Sequence, residues 1–493
     1  MNDERPVKIR NLIAYGAGDI FGGGAFVLIS MFYFFFLTEE VGLTPLLAGL
    51  VIGAGKVWDA LSDPIMGHLS DHTRSRYGRR RVFFLIAIAP IALSFYLLWI
   101  PIGSDHLWVQ AGYYSAIYIV FNTVFTMVMV PYSALNAEMS SDYRVRTRLT
   151  AARTLFSQGS SALAAVLGPA IRNAPDTTER GYFWLSIVFG ALYALPWLFV
   201  FVGTWERASE PARAQRFNLA RILKSSLELV HNRSFRIHIL MYICAYTAMD
   251  VLLILVQYYV RWNLGREVLS EAMAGLVGAQ LVTIPLYVWI ANRWGKGAAF
   301  RLGLAVFGLG MAASYVLNAT STTAEIVAIC AIIGAGMSAA VMMPWAILPS
   351  IIDVDEVMTT RVRSGVYAGA MTLIRKLVQG LVATQAIAIA LTAIGYVESA
   401  GNSAHSQSPE TIAHLKLLFF AMPSLFIVLG FVISLRFRIT PETHAILVEE
   451  LDRLRAGGDK QSAGTNTRRI LEQLTGRSYD DLYVSPDSAR RNW

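Results

Sequence analysis

Asp59 and Asp63 lie four residues apart in the stretch WDALSDPIMGHLSDHTRSRYGRRR, residues 58–81, with Ser62 between them. On a helix that spacing puts both carboxylates on one face, one turn apart, with the serine hydroxyl beside them. Apolar residues precede Asp59 and follow Pro64, so the pair belongs at bilayer depth, where a carboxylate costs at least about 2.5–3.5 kcal/mol. Two like charges at this separation repel, and the repulsion is relieved when a cation lies between them or when one takes a proton. The chemistry this predicts is binding of a positive ion. The competing reading gives Asp63, next to Pro64, only a part in ending a helix near the interface.

An acid pair held away from water needs a scaffold. The chain has 493 residues, 55% hydrophobic and 15% charged, with a mean hydropathy of +0.47. That is more apolar surface than a water-soluble fold of this length needs. Runs of roughly 20 residues, enough to cross a ~30 Å hydrocarbon core, recur near 13–37, 46–69, 82–101, 108–132, 149–171, 182–202, 237–260, 272–291, 300–316, 326–351, 366–394 and 412–435. The predicted fold class is an all-α membrane protein of twelve transmembrane helices in two six-helix halves, residues 1–205 and 234–437. A polar central loop, 206–233, joins the halves, and a polar tail, 438–493, follows them.

Charge orients this bundle. Arg74, Arg76, Arg79, Arg80 and Arg81 follow the second span, Arg144, Arg146 and Arg148 the fourth, and Arg293, Lys296, Arg301, Arg361 and Arg363 the eighth and tenth. Among the alternate loops, the one after the first span carries Glu39 and Glu40, the one between the third and fourth has no Lys or Arg, and the one after the fifth has only Arg172 and Arg180 as bases. By the positive-inside bias both termini are cytoplasmic, in a multi-pass protein of the plasma (inner) membrane. The net charge of +8 is then explained by basic loops beside an anionic leaflet, and no nucleic-acid partner is expected. Cys244 and Cys330 fall inside spans and read as packing residues. The first span is long and lacks a small-residue cleavage site, so it is expected to remain in the mature protein.

The halves repeat one plan. Pro64 is followed by Asp71 and then Tyr77-Gly78-Arg79, and Pro285 at the same spacing by Asn292 and then Trp294-Gly295-Lys296. Pro131-Tyr132 leads to Arg146-x-Arg148 as Pro344-Trp345 leads to Arg361-x-Arg363, and Tyr15 with Asp19 has its counterpart in Tyr246 with Asp250. Parallel repeats of this length are found in secondary transporters, with the substrate near the midplane where the halves meet. Asp59 and Asp63 fall opposite Gln280 and Ile284, so the acid pair belongs to the N-terminal half.

Residues 58–81 closely resemble the second helix and following loop of the glycoside-pentoside-hexuronide:cation symporters, the melibiose-permease branch of the major facilitator superfamily, whose pattern runs WDA-x-x-DP-x-x-G…D-x-TRSR-x-G-[RK]. YGAGD at 15–19, MVPY at 129–132 and DVDEVMTTRVRSGVYAGAMTLIRKL at 353–377 fit in the same order, so the resemblance covers most of the chain. It implies a major facilitator fold in which Asp59, Ser62, Asp63 and Thr126 offer oxygen ligands to a coupling ion, Na⁺ or H⁺, with serine in place of the family's amide. No other cofactor is implied. The family's sugar-binding carboxylate on the fourth helix falls at Met129, and its polar pair on the first falls near Gly22 and Gly23, so the acceptors a galactoside needs are missing. Arg153 and Lys376 match basic positions that line the family's cavity, and each is expected to face Asp59, Asp63 or an anionic group, because an unpaired buried charge is costly. Arg375 points about 100° away from Lys376 around the helix.

Asp19 reads equally as a packing residue bonded to Tyr15 or neighbouring serines and as a substrate contact, and Asp250 as a site for substrate or an extra proton. Among the aromatic residues only Trp345 and Tyr132, beside the repeated prolines, are singled out for stacking on a sugar. In the loops, Asp71, Arg74, Arg76 and Arg79 are expected to pair with the loops holding Arg148, Asp353 and Arg363 as a gate that holds the cytoplasmic side shut in one state, in addition to setting topology. The tail shows helical apolar spacing at 440–455 and 468–474, suited to lying along the bundle.

These features predict a cation-coupled symporter of a small polar solute, a glycoside or hexuronide, with lysophospholipid uptake as the alternative that Met129, Gly22 and Gly23 keep open. An intramembrane enzyme would need a nucleophile or metal-ligand spacing, which His68 and His72 at the end of the second span do not supply. A channel fits poorly with halves of unequal chemistry.

Overall fold

The structure is a computed structural model that describes residues 6–104, 106–140, 142–175, 177–206, 228–399 and 406–483, and its regular structure is helical throughout. In the first half α1 spans Ile9–Glu39 and α2 spans Pro45–His72. α3 runs Arg81–Ile86 and, past Ala87, Ile88–Leu97; α4 is Leu107–Met139, α5 Tyr143–Asn173 and α6 Thr178–Gly203. In the second half α7 is Arg233–Leu264, α8 Leu269–Trp294, α9 Lys296–Ser314, α10 Thr323–Thr359, α11 Ser364–Ala393 and α12 Pro409–Ser434. The tail adds α13, Pro441–Arg455, and α14, Thr465–Thr475.

Ten of these helices are long and apolar enough to cross a membrane. The expected twelve spans include two that depart from that pattern. α3 is interrupted at Ala87, leaving a short apolar piece, and α5 is polar along much of its length because it brings arginines and serines into the interior. Local chemistry sets the starts. Thr44 accepts the Leu47 amide ahead of Pro45, Asn232 accepts the Phe235 amide ahead of α7, and Thr322 with Glu325 forms a reciprocal cap on α10. α1, α7 and α11 each contain a wide π-helical turn, at Ile29–Tyr33, Tyr259–Leu264 and Gln379–Ala383.

Within the first half α1 packs on α5 and α2 on α4; within the second, α8 and α9 pack on α10, and α7 on α12. Between halves α1 meets α7, α2 meets α11 and α5 meets α8. An even number of crossings leaves both chain ends on one side, here called the terminus side. On the opposite side the halves are tied together. Glu39 accepts hydrogen bonds from Tyr396 and, at 2.7 Å, from Ser399, and lies 3.5 Å from Arg261. Thr38 and Tyr258 share a hydrogen bond of 2.5 Å, and the buried Arg172 donates to Gln257 at 3.3 Å while facing the rings of Phe32, Phe35 and Tyr182.

On the terminus side the expected gate pairs do not form across the halves. Asp71 binds Arg80 at 2.5 Å, Arg79 binds Glu138, and the carboxylate of Glu206 accepts the backbone amides of Arg79, Arg80 and Arg81. Asp353 is engaged by His444 of α13 at 2.8 Å, and Arg363 by Asp355 at 2.5 Å. Arg74 and Arg148 are exposed. The physical reason is competition, since nearer carboxylates and the tail satisfy these charges inside their own half. The tail also anchors to α10 through Arg455 and Glu356 at 2.6 Å and to α7 through Ser234 and the Leu474 carbonyl at 2.6 Å, burying Leu447, Leu451 and Leu471. Most of the central loop, 207–227, and the tail beyond 483 lie outside the described residues.

Candidate cation and solute site

Midway along α2 the two carboxylates converge with α4 and α11. Thr126 lies 3.2 Å from Asp59 Oδ1 and 3.1 Å from Asp63 Oδ1, and it receives the Ser62 hydroxyl at 3.2 Å. The residues Asp59, Ser62, Asp63 and Thr126 thus form one oxygen cluster, hard donors suited to a hard cation. Into it reaches Lys376 from the other half, its ammonium 3.0 Å from Asp59 Oδ1 and 2.6 Å from Asp63 Oδ2. Asp59 is buried, whereas the Asp63 side chain is 34% exposed and gives the cluster an opening. Leu155 and Trp345 are exposed as well, and a side chain at Gly159, Gly365 or Gly369 would meet no heavy atom within 4 Å. The space between the halves therefore opens toward the terminus side.

Two further acid–base pairs flank the cluster. Arg153 Nε donates to Asp19 at 3.0 Å, its Nη1 donates to Ser133 at 3.1 Å, and its guanidinium lies 5.1 Å from the centre of the Tyr132 ring. Of the partners expected for Arg153, it meets neither Asp59 nor Asp63, and of those expected for Asp19, Tyr15 is not bonded to it. The Tyr15 hydroxyl bonds the Tyr132 carbonyl instead. In the second half Arg375 Nη2 is 3.4 Å from Asp250, and its guanidinium lies 4.4 Å from the centre of the Tyr246 ring. Adjacent residues on α11 thus serve different acids, as the 100° step between them requires.

The aromatic expectations divide. Trp345 is 39% exposed and donates its indole N–H to Tyr246 at 3.0 Å, so one ring presents a face to the opening. Tyr132 is fully buried, stacks on Tyr15 at 4.7 Å and donates to the Tyr15 carbonyl at 2.6 Å, leaving no surface for a solute. Gly22 has no room for a polar side chain: a Cβ there would strike Asp19 and come within 2.6 Å of Met129 Cε. At Gly23 a Cβ would strike the Ser157 carbonyl on α5. The space for polar side chains at these α1 positions is taken by Asp19 and Met129 at Gly22 and by α5 at Gly23.

One charged residue escaped the sequence reading. Lys56, one turn before Asp59 on α2, is 7% exposed, and its ammonium lies 4.9 Å from the centre of the Phe26 ring. A lysine inside a membrane run is itself a signal of function. Glu39, a loop acid by its place in the sequence, is buried by groups from the other half.

Residues 14–441 match the family described as MFS/sugar transport protein. A symporter of Synechocystis sp. is 28% identical over 89% of this chain and 96% of its own length. The sodium-dependent lysophosphatidylcholine symporter 1-A of Danio rerio is 25% identical over 84% of this chain and 82% of its own, and the glucuronide carrier protein homolog of Escherichia coli 24% identical over 90% and 95%. A variant of the nucleoside transporter NupG, in its crystal structure, covers 88% of this chain and 99% of its own with a TM-score of 0.62 at 10% identity, which is a likeness of fold.

Proposed function

The chain belongs to the MFS/sugar transport protein family, and from that premise we propose that it is a cation-coupled symporter carrying a glycoside or hexuronide by alternating access. The observation that carries this reading is the Lys376 ammonium lodged between Asp59 and Asp63, 3.0 and 2.6 Å away, from the opposite half. In this conformation lysine supplies the positive charge that the acid pair requires. A coupling cation entering among the oxygens of Asp59, Ser62, Asp63 and Thr126 replaces it, loosens a contact between the halves and so favours the other orientation. The solute occupies the space between Arg153, Asp250, Trp345 and Lys376. The terminus side, rich in basic loops, is the cytoplasmic side, and the contacts around Glu39 close the outer side. When the carrier faces outward those contacts part, and Asp71, Arg74, Arg79, Arg148, Asp353 and Arg363 become available as the cytoplasmic gate.

Met129, packed at Gly22, favours a second reading with an amphiphilic solute, while the charged pairs around it favour a polar one. Counterflow in proteoliposomes with labelled glycosides, uronides and lysolipids tests both. Accumulation of a glycoside or uronide driven by a Na⁺ or pH gradient is expected. Uptake that saturates at equal concentrations inside and outside, whatever the gradient, would remove the coupling.

A further inference from the structure

Lys56 is the one base of this cavity whose ammonium has neither a hydrogen bond nor an ion pair among the described residues. Its stem fits against α11 because residue 380 is glycine, where a Cβ would stand 2.5 Å from that of Lys56. Its charged neighbours are Asp59, Lys376, Arg375 and Asp250. Phe26 joins it to Arg375, for the guanidinium lies 4.8 Å from the centre of the same ring. Arg375 has a spare donor too: its Nε is buried without an acceptor. Two cations with unused donors thus share one aromatic ring, at 4.9 and 4.8 Å from its centre, and leaving the buried Arg375 donor unmet is costly.

The charge count gives the occupant. Asp19, Asp59, Asp63 and Asp250 are matched in number by Lys56, Arg153, Arg375 and Lys376. A monovalent cation added at Asp59 and Asp63 leaves the set one positive charge in excess, and that excess falls beside Lys56, one turn away. We infer that Lys56 and Arg375 form an anion-recognising subsite, that the solute carries one negative charge, such as a sugar carboxylate, and that cation binding is what makes the subsite attractive. This rests on the symport reading above and sharpens its substrate class.

The test is calorimetric titration of the purified full chain with two probes that differ at one carbon, p-nitrophenyl β-D-glucuronide and p-nitrophenyl β-D-glucoside, with and without Na⁺ and at two pH values. The wild type should bind the glucuronide at least about tenfold more tightly than the glucoside, and more tightly when the cation is present. Lys56→Met should weaken glucuronide binding about 10- to 100-fold, the worth of one charge-assisted hydrogen bond, and glucoside binding much less, and Lys56→Arg should restore glucuronide binding. Lys56→Gln serves as a second uncharged variant should the methionine variant fold poorly. Equal glucuronide affinity in wild type and Lys56→Gln, a preference for the glucoside, or no binding of the glucuronide at all overturns the subsite. Gradient-driven accumulation of a neutral solute would overturn it while sparing symport. Tight glucuronide binding without gradient-driven uptake would do the reverse.

Discussion

The first helix of each half carries a tyrosine and an aspartate one turn apart, and each aspartate meets an arginine from the fifth helix of its own half. In the N-terminal half the pair is closed: Asp19 and Arg153 are 3.0 Å apart, and Ser133 takes a second donor. In the C-terminal half it is loose: Asp250 and Arg375 are 3.4 Å apart, and Arg375 Nε is left without a partner. The repeat has thus kept one device and used it twice, once to hold helices together and once to present a charge. The divergence extends to α2, whose acid pair has Gln280 and Ile284 as its counterparts on α8. Asymmetry between the repeats falls at the acid pair and at the loose arginine, the positions proposed above for ion and solute.

The largest effect that would break this comparison is at α2. Asp59→Asn and Asp63→Asn should each abolish uphill accumulation in proteoliposomes while the protein still folds and inserts, with energy-independent exchange persisting in one of them. Continued concentration of solute by both variants would end the assignment of coupling to this half.

Next comes the contrast between the arginines. Arg153→Ala removes the partner of Asp19 and should cost about 3 kcal/mol, the lower end for a buried pair broken on one side, since Arg153 keeps some exposure. Arg375→Ala should lower thermal stability less, because Asp250 retains Lys56 nearby, and should instead weaken solute binding. Thermal unfolding and binding measured on both variants decide the matter, and the opposite ranking would mean that the loose pair is the structural one.

A smaller effect separates charge from volume at Lys376. Lys376→Ala should impair transport more than Lys376→Arg, because arginine keeps the charge that bridges the halves. A packing role would reverse the order, since a dense core resists the bulkier guanidinium. The smallest expected change is Gly23→Ala, whose methyl group meets the backbone of α5 and should lower stability by about 1–3 kcal/mol. Gly159→Ala, pointing into open space, should be neutral in the same unfolding assay.

Much of the site was legible in the sequence, because three of its residues share one helix face and one recognisable motif, and the resemblance supplied Thr126 on α4. Asp59, Ser62, Asp63 and Thr126 come together as the resemblance implied. Lys376 also lies near the acids, as the cost of a lone buried charge demanded. What stayed hidden depends on partners distant in sequence. Spacing could not show that Arg153 would be taken by Asp19 across 134 positions, or that Asp353 would be held by His444 from the tail. Lys56 lies outside the recognisable motif, which begins two residues later at Trp58. The fold was readable from apolar runs, but α5 only in its apolar middle, because its polar first turns belong to the same helix as its buried arginine.

The equality of the four acids Asp19, Asp59, Asp63 and Asp250 with the four bases Lys56, Arg153, Arg375 and Lys376 is also an electrical property. A membrane potential does work only on net charge that moves, about 2.3 kcal/mol per elementary charge for each 100 mV. A carrier whose own interior charges cancel reorients unloaded without responding to voltage. Carrying one cation with an uncharged sugar, it moves a positive charge and is drawn toward the negative face. Carrying one cation with one anion, it moves none, and the cell's potential neither speeds nor opposes uptake, so that such a transporter would run on concentration gradients alone even in a strongly polarised membrane.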